Sequence, residues 1–203
     1  MSAGGMNTEA GAPKAEAPGW WADPGTLGLL GFGTTTILAG LQVGLWTGAG
    51  AVLSMAIFFG GIAQIIAGLI GLRRGNGFAA AFLCYGAFWL AFNWMLTAPI
   101  THLGVAPDNY GIAAFMFVWM LVTLTFTLSA PKHGIGVTMV FVTLLIAFAL
   151  LTWMFDATAG GTMISKSTSE GIGGEIILVG LLAWFVATVH LTNAQYGRKF
   201  LAI

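Results

Sequence analysis

Charge is the scarcest commodity in this chain of 203 residues: Asp, Glu, Lys and Arg together make up 7%, against 58% apolar residues. Seven cations and seven anions leave no net charge, so nothing basic is available to hold a nucleic acid. A soluble protein of this length needs a polar surface, and a mean hydropathy of +0.90 cannot supply one. Cysteine is nearly absent. The single Cys84 falls within an apolar run and can form no disulfide inside the chain. The three histidines (His102, His133 and His190) are scattered near loops with no metal-ligand spacing. No secretory signal is expected either, because Met1–Gly19 is rich in Gly, Ala, Pro, Glu and Lys and has no apolar stretch.

What fills the chain is long apolar runs, each near or above the roughly 20 residues that cross a hydrocarbon core. They are Leu27–Leu45, Ala51–Leu72, Phe78–Thr97, Gly111–Ala130, Gly134–Met154 and Gly174–Thr192. Their continuous apolarity excludes a membrane β-barrel, whose strands alternate in polarity. The expected fold is an all-α integral membrane protein with six transmembrane helices. A disordered cytoplasmic tail is expected over residues 1–20 and a single transmembrane domain over 21–203. Lys14, Arg73, Arg74, Lys132, Arg198 and Lys199 all fall on one side of such a six-span topology. Only Lys166 falls on the other, so both termini are expected in the cytoplasm. The connections are short, apart from Phe155–Gly173, which has room for a short extra helix or re-entrant piece. The first three spans show no convincing sequence repeat in the last three.

The spans carry almost nothing that could do acid–base or nucleophilic chemistry, and an enzyme ranks last among the readings. No cofactor is implied. GTLGLLGFG is rich in glycine but has no preceding strand and no Lys-Ser/Thr, so it is not a phosphate loop. The spans do hold glycine and isolated neutral polar groups. Gly40, Gly44 and Gly48 have GxxxG spacing. Gly60, Gln64 and Gly68 share one helix face, and Tyr85, Trp89, Asn93 and Thr97 form a second four-spaced stripe. Gln64 and Asn93 are costly to desolvate without partners. From spacing alone, packing and hydrogen bonding between helices explain these residues better than a pore does.

Several strings change that balance. DPGTLGLLGFGTTTILAGL opens the first span, FFGGIAQIIAGL lies in the second, RRGNGFAAAFLCYGAFW follows, and NAQYGRKFL stands near the end. Together they resemble the acetate uptake transporter family, the succinate–acetate permeases. The likeness runs from Trp21 to Leu201. One departure is visible: the family signature opens Asn-Pro-Ala-Pro-Leu-Gly-Leu, and this chain has Asp23-Pro24-Gly25-Thr26-Leu27-Gly28-Leu29. The resemblance implies six helices per subunit, assembly as a homo-hexamer in the cytoplasmic (inner) membrane, and a separate narrow pathway in every protomer. It also implies a constriction of three apolar or aromatic side chains at Phe32, Tyr85 and Leu144.

Acetate, with succinate as a further substrate, is therefore the expected cargo. A bare carboxylate in hydrocarbon carries a Born penalty of order tens of kcal/mol in the idealised limit, so it must be neutralised or solvated. No Lys or Arg lies at depth to pair with it. The candidate substrate-binding groups are Thr34, Thr35, Thr36, Gln64 and Asn93, with the Tyr85 hydroxyl as a further donor. Neutral donors of this kind suit a protonated acid, and transport is expected to be linked to protons. An apolar constriction would reject hydrated ions by dewetting. Glu175 reads as a helix-start residue, His190 as a structural hydrogen-bonding group, and Asp23 as a cap or mouth residue. Trp20, Trp21, Trp46 and Trp153 fit interfacial belts, and Trp89, Trp94, Trp119 and Trp184 fit packing between helices or subunits. A channel for a small neutral solute such as urea is the nearest rival. A non-transporting membrane scaffold is the rival of another class.

Overall fold

The computed structural model describes residues 22–45, 48–97 and 107–201. Six helices long and apolar enough to cross a membrane account for most of them: α1 Gly25–Leu45, α2 Ala49–Arg73, α3 Gly77–Leu96, α4 Asn109–His133, α5 Ile135–Ala159 and α6 Lys166–Tyr196. There is no strand among the described residues. The expected tail, Lys14, His102, Trp20, Trp21 and Trp46 lie outside the described residues.

The helix ends follow local chemistry. The Asp23 carboxylate accepts from the Gly25 N–H at 2.9 Å, just ahead of α1. Asp108 caps α4 by accepting from Gly111 N–H at 2.6 Å, and Ser165 caps α6 by accepting from Thr168 N–H at 3.1 Å. Gly197, in the left-handed region at φ 60°, closes α6. Two helices depart from regular α geometry in ways that matter for the interior. α2 contains a π-helical turn over Phe58–Ala63, directly before Gln64, and α3 opens with a 3-10 turn over Gly77–Ala79.

The fifth connection differs from expectation. It is only the short stretch between Ala159 and Lys166, with no extra helix or re-entrant piece. KSTSEGIGGE, too polar to belong to an apolar run, forms the opening turns of α6 instead. At 31 residues α6 is about 46 Å long, more than the roughly 30 Å hydrocarbon core, so polar residues at its ends are compatible with crossing. Glu175 is therefore not a helix-start residue but lies in the third turn of α6.

The most extensive helix pair is α1 with α6, and glycine makes it so. A Cβ on Gly40 would stand 2.6 Å from the Gly173 carbonyl oxygen, and one on Gly180 would stand 2.6 Å from the Gly33 carbonyl oxygen. Backbone meets backbone at both places, as small residues permit in membrane bundles. Ser169 adds a hydrogen bond to the Val43 carbonyl at 2.6 Å. Elsewhere α2 packs on α3, α4 on α5, and α5 on α6. The outer faces carry exposed Phe58, Ile66, Leu69, Trp94, Trp153 and Trp184, whereas Trp89 is buried and Trp119 half-buried.

Candidate functional site

Among the described residues, the bundle encloses a cavity towards each end. The first, about 210 Å³, opens towards the end carrying Arg73, Arg74, Lys132, Arg198 and Lys199. It is lined by Asp23, Gln64, Asn76, His133 and His190 together with apolar and aromatic side chains. The second, about 290 Å³, lies towards the opposite end and is more apolar, with Thr36, Gln42 and Trp89 among Phe88, Phe92, Met116, Phe148 and Leu151. One water needs about 10–15 Å³ of such space, so each cavity has room for a small solute and several waters. Among the described residues, no Lys or Arg lines either one.

Among the described residues, three line both cavities: Phe32, Tyr85 and Leu144. Each comes from a different helix, and local sequence explains how each is presented. Phe32 stands between Gly31 and Gly33. Gly31 lets α1 approach the Phe59 carbonyl of α2, Gly33 lets it approach Gly180 of α6, and the ring between them is buried in the bundle. Tyr85 precedes Gly86, whose lack of a side chain brings α3 against Gly61 and Ile65 of α2. Leu144 lies mid-way along α5, 6% exposed.

The rings of Phe32 and Tyr85 meet edge to face, with centroids 5.5 Å apart. Tyr85 also touches Phe141, Trp119 and Phe126. Its hydroxyl donates to Thr123 Oγ1 at 2.8 Å, and Thr123 donates in turn to the Trp119 carbonyl at 2.7 Å. The phenol is thus anchored on α4, and its proton is already engaged rather than free for a ligand.

The five candidate binding residues separate. Gln64 lines the first cavity, is fully buried, and has no hydrogen-bond partner for Oε1 or Nε2 among the described residues. Thr36 lines the second cavity, with its hydroxyl donating to the Phe32 carbonyl at 2.7 Å. Thr34 and Thr35 line neither, and their hydroxyls donate to the Leu30 and Gly31 carbonyls at 2.8 Å. Asn93 lines neither as well. Its Nδ2 donates to the Leu53 carbonyl at 2.8 Å and ties α3 to α2, which is the structural reason for an amide at that depth. Three consecutive threonines cannot share one helix face at about 100° per residue, so only one of the run reaches a cavity.

Other lining residues carry no clear signal along the chain. His133 stacks on Phe78 with ring centroids 4.0 Å apart and lines the first cavity beside Asn76. Asn76 stands just ahead of α3 and His133 closes α4 in a 3-10 stretch, where regular α-helical spacing gives no face to read. His190 and Asp23 reach the same cavity from α6 and from the approach to α1. Glu175 reaches neither cavity.

The sequence pattern of the GPR1/FUN34/yaaH family matches residues 4–199. The chain belongs to that family. Among its relatives is the succinate-acetate/proton symporter SatP of Escherichia coli K12, 37% identical over 185 residues that span 90% of this chain and 95% of SatP. A more distant relative, ammonia transport outward protein 2 of Saccharomyces cerevisiae, is 27% identical over 185 residues, covering 86% of this chain and 63% of the yeast protein. A solved structure of the bacterial acetate channel SatP superposes with a TM-score of 0.81 at 36% identity, covering 90% of this chain and 99% of that one. The family fold is thus a helical membrane fold.

Proposed function

We propose that this protein carries small carboxylates, acetate foremost and succinate as a further substrate, across the cytoplasmic membrane, with protons moving in the same direction. The observation that carries the reading is the pair of cavities meeting at Phe32, Tyr85 and Leu144. Its support from outside the chain is SatP, a succinate-acetate/proton symporter that matches over nearly the whole length.

The physics of the path agrees with a carboxylic acid. Between the cavities a solute meets a phenyl ring, a phenol whose hydroxyl is already bonded, and a leucine. A hydrated ion cannot keep its shell there, and a bare carboxylate would lose its solvation with no Lys or Arg in compensation. An acid that has taken up a proton is neutral and crosses at far lower cost. Phe32, Tyr85 and Leu144 act as an apolar barrier in this reading, with Gln64 and Thr36 as neutral polar groups on either side of it. The molecule is a transporter or channel and not an enzyme. It assembles as a hexamer with one pathway per subunit, consistent with the apolar outer faces, and it holds both termini in the cytoplasm, consistent with the skew of Lys and Arg to one end.

The test is uptake of labelled acetate into liposomes holding the purified protein, with excess succinate, urea or ammonium added in parallel. Saturable uptake that succinate blocks and urea does not is the expected result. Absence of acetate uptake alongside rapid urea-driven swelling would establish the neutral-solute reading instead.

A further inference from the structure

Asp23 is an acid at the end of the molecule where the cations gather. Arg73, Arg74, Lys132, Arg198 and Lys199 share that end. Among the described residues, every other acid (Asp108, Asp156, Glu170 and Glu175) stands towards the opposite end. Asp23 lines the cavity that opens at the basic end, and none of the five cations does. The other titratable side chains on that cavity are His133, His190 and Tyr85. Among the described residues, Asp23 thus supplies the one carboxylate that a solute meets on entering from this end.

Local structure fixes where that charge stands. Pro24, next in the chain, is buried beside the end of α2, where a Cβ on Gly71 would stand 3.6 Å from Pro24 Cγ. The Pro24 carbonyl accepts from the Gly28 N–H at 3.0 Å as α1 begins. On this anchored backbone Asp23 itself is exposed, and its Oδ1 accepts from the Gly25 N–H at 2.9 Å. Gly25 lines the same cavity. Among the described residues the Asp23 carboxylate enters no ion pair, so no cation in contact cancels its charge. The residue in the corresponding place of the family signature is asparagine, which has the same shape and an oxygen for Gly25 but no charge.

We propose that Asp23 is a specificity-determining charge: it holds carboxylates back from the basic-end mouth according to their charge, and so disfavours a dicarboxylate against acetate. The proposal rests on the carboxylate reading above and ranks its substrates. A fixed charge at an opening changes the local concentration of ions through the solution, over a Debye length, and need not touch them. A neutral acid is unaffected, a monoanion is depleted by some factor, and a dianion by the square of that factor. For a unit charge at about 4–7 Å in water the factor is about two- to fivefold. Succinate, doubly charged in the neutral range, is therefore penalised more than acetate at the same mouth.

The experiment is half-saturation of labelled acetate and succinate uptake for wild type, Asp23→Asn and Asp156→Asn, in inside-out and right-side-out membrane vesicles. Uptake by vesicles lacking the protein is subtracted. Asp156 is exposed at the opposite end and lines neither cavity, so it controls for loss of a negative charge as such. Each is measured at about 0.01 M salt, where the Debye length is about 30 Å, and at about 1 M, where it is about 3 Å. At low salt Asp23→Asn is expected to lower half-saturation about two- to fivefold for acetate and by about the square of that for succinate. The shift belongs to the one orientation that presents the basic end to the medium, and it disappears at high salt. Asp156→Asn leaves that orientation unchanged. A succinate-to-acetate ratio that Asp23→Asn does not alter overturns the proposal. So does a shift that survives high salt or is equal in both orientations, since either would mark a structural effect on α1. Should Asp23→Asn fail to fold, Asp23→Ser also keeps a capping oxygen without the charge and is read in the same way. Wild-type protein that takes up neither acid overturns the carboxylate reading itself, a different failure from a saturable wild type with an indifferent Asp23.

Discussion

Leu144 carries the sharpest single-residue prediction. It is one of three side chains lining both cavities, and its neighbours Val140 and Phe141 are buried as well. Replacing a buried leucine with alanine costs about 2–5 kcal/mol in a tightly packed core, but here the removed atoms border open space on two sides. Leu144→Ala is therefore expected to lose little thermal stability and to widen the barrier. Uptake of a bulkier acid such as lactate should increase several-fold relative to acetate. Unchanged selectivity would mean that Leu144 does not border the path. At Tyr85 the ring and the hydroxyl have separate roles. Tyr85→Phe keeps the ring and frees Thr123, so acetate uptake is expected to persist at a rate within a few-fold of wild type, measured in the same liposomes.

At the level of elements, the α1–α6 contact is the frame against which the proposed path is built. Phe32 points into the bundle because Gly31 and Gly33 let α1 lie close to two neighbours at once. A side chain at Gly180 would collide with the Gly33 carbonyl oxygen and Ile37, and backbone atoms cannot swing aside. Gly180→Val is expected to lower stability by about 1–3 kcal/mol or more through overpacking, read as a fall in the unfolding midpoint in detergent. Gly174→Ala is the matched control, since nothing stands within 4 Å of a Cβ there, and it should leave the midpoint unchanged. An equal loss in both would mean that α6 responds to any glycine replacement and not to contact with α1.

For the whole molecule, the absence of Lys and Arg from both cavities among the described residues leads to a pH prediction. With no fixed positive charge to hold an anion, the proton must neutralise the carboxylate during passage. Simple carboxylic acids lose their proton at about pH 4 to 5, so a lower pH on the entry side raises the protonated fraction about tenfold per unit in the neutral range. Acetate uptake at fixed total acetate is expected to rise as external pH falls and to follow an inward proton gradient. A flux indifferent to both, after subtraction of empty liposomes, would remove the proton linkage and leave an anion channel.

Much of the architecture was legible along the chain. Six apolar runs became six helices because a backbone in hydrocarbon must satisfy its own hydrogen bonds, and a continuous helix is how one segment does so. The boundaries failed where polarity and helicity part company. KSTSEGIGGE is helical because Ser165 caps it and Gly173 packs on α1, facts that hydropathy does not carry. The candidate site divides along the same line. Phe32 and Tyr85 could be singled out within strings resembling a known family, and Gln64 from the cost of a buried amide. Thr34, Thr35 and Asn93 have similar chemistry but turn their polar groups to helix carbonyls, which residue type alone does not reveal. Local composition by itself determined that this protein lives in a membrane and has few charges to work with. Only the packing of six helices decided which neutral groups meet open space, because a cavity belongs to residues far apart in the chain that share a face only after folding.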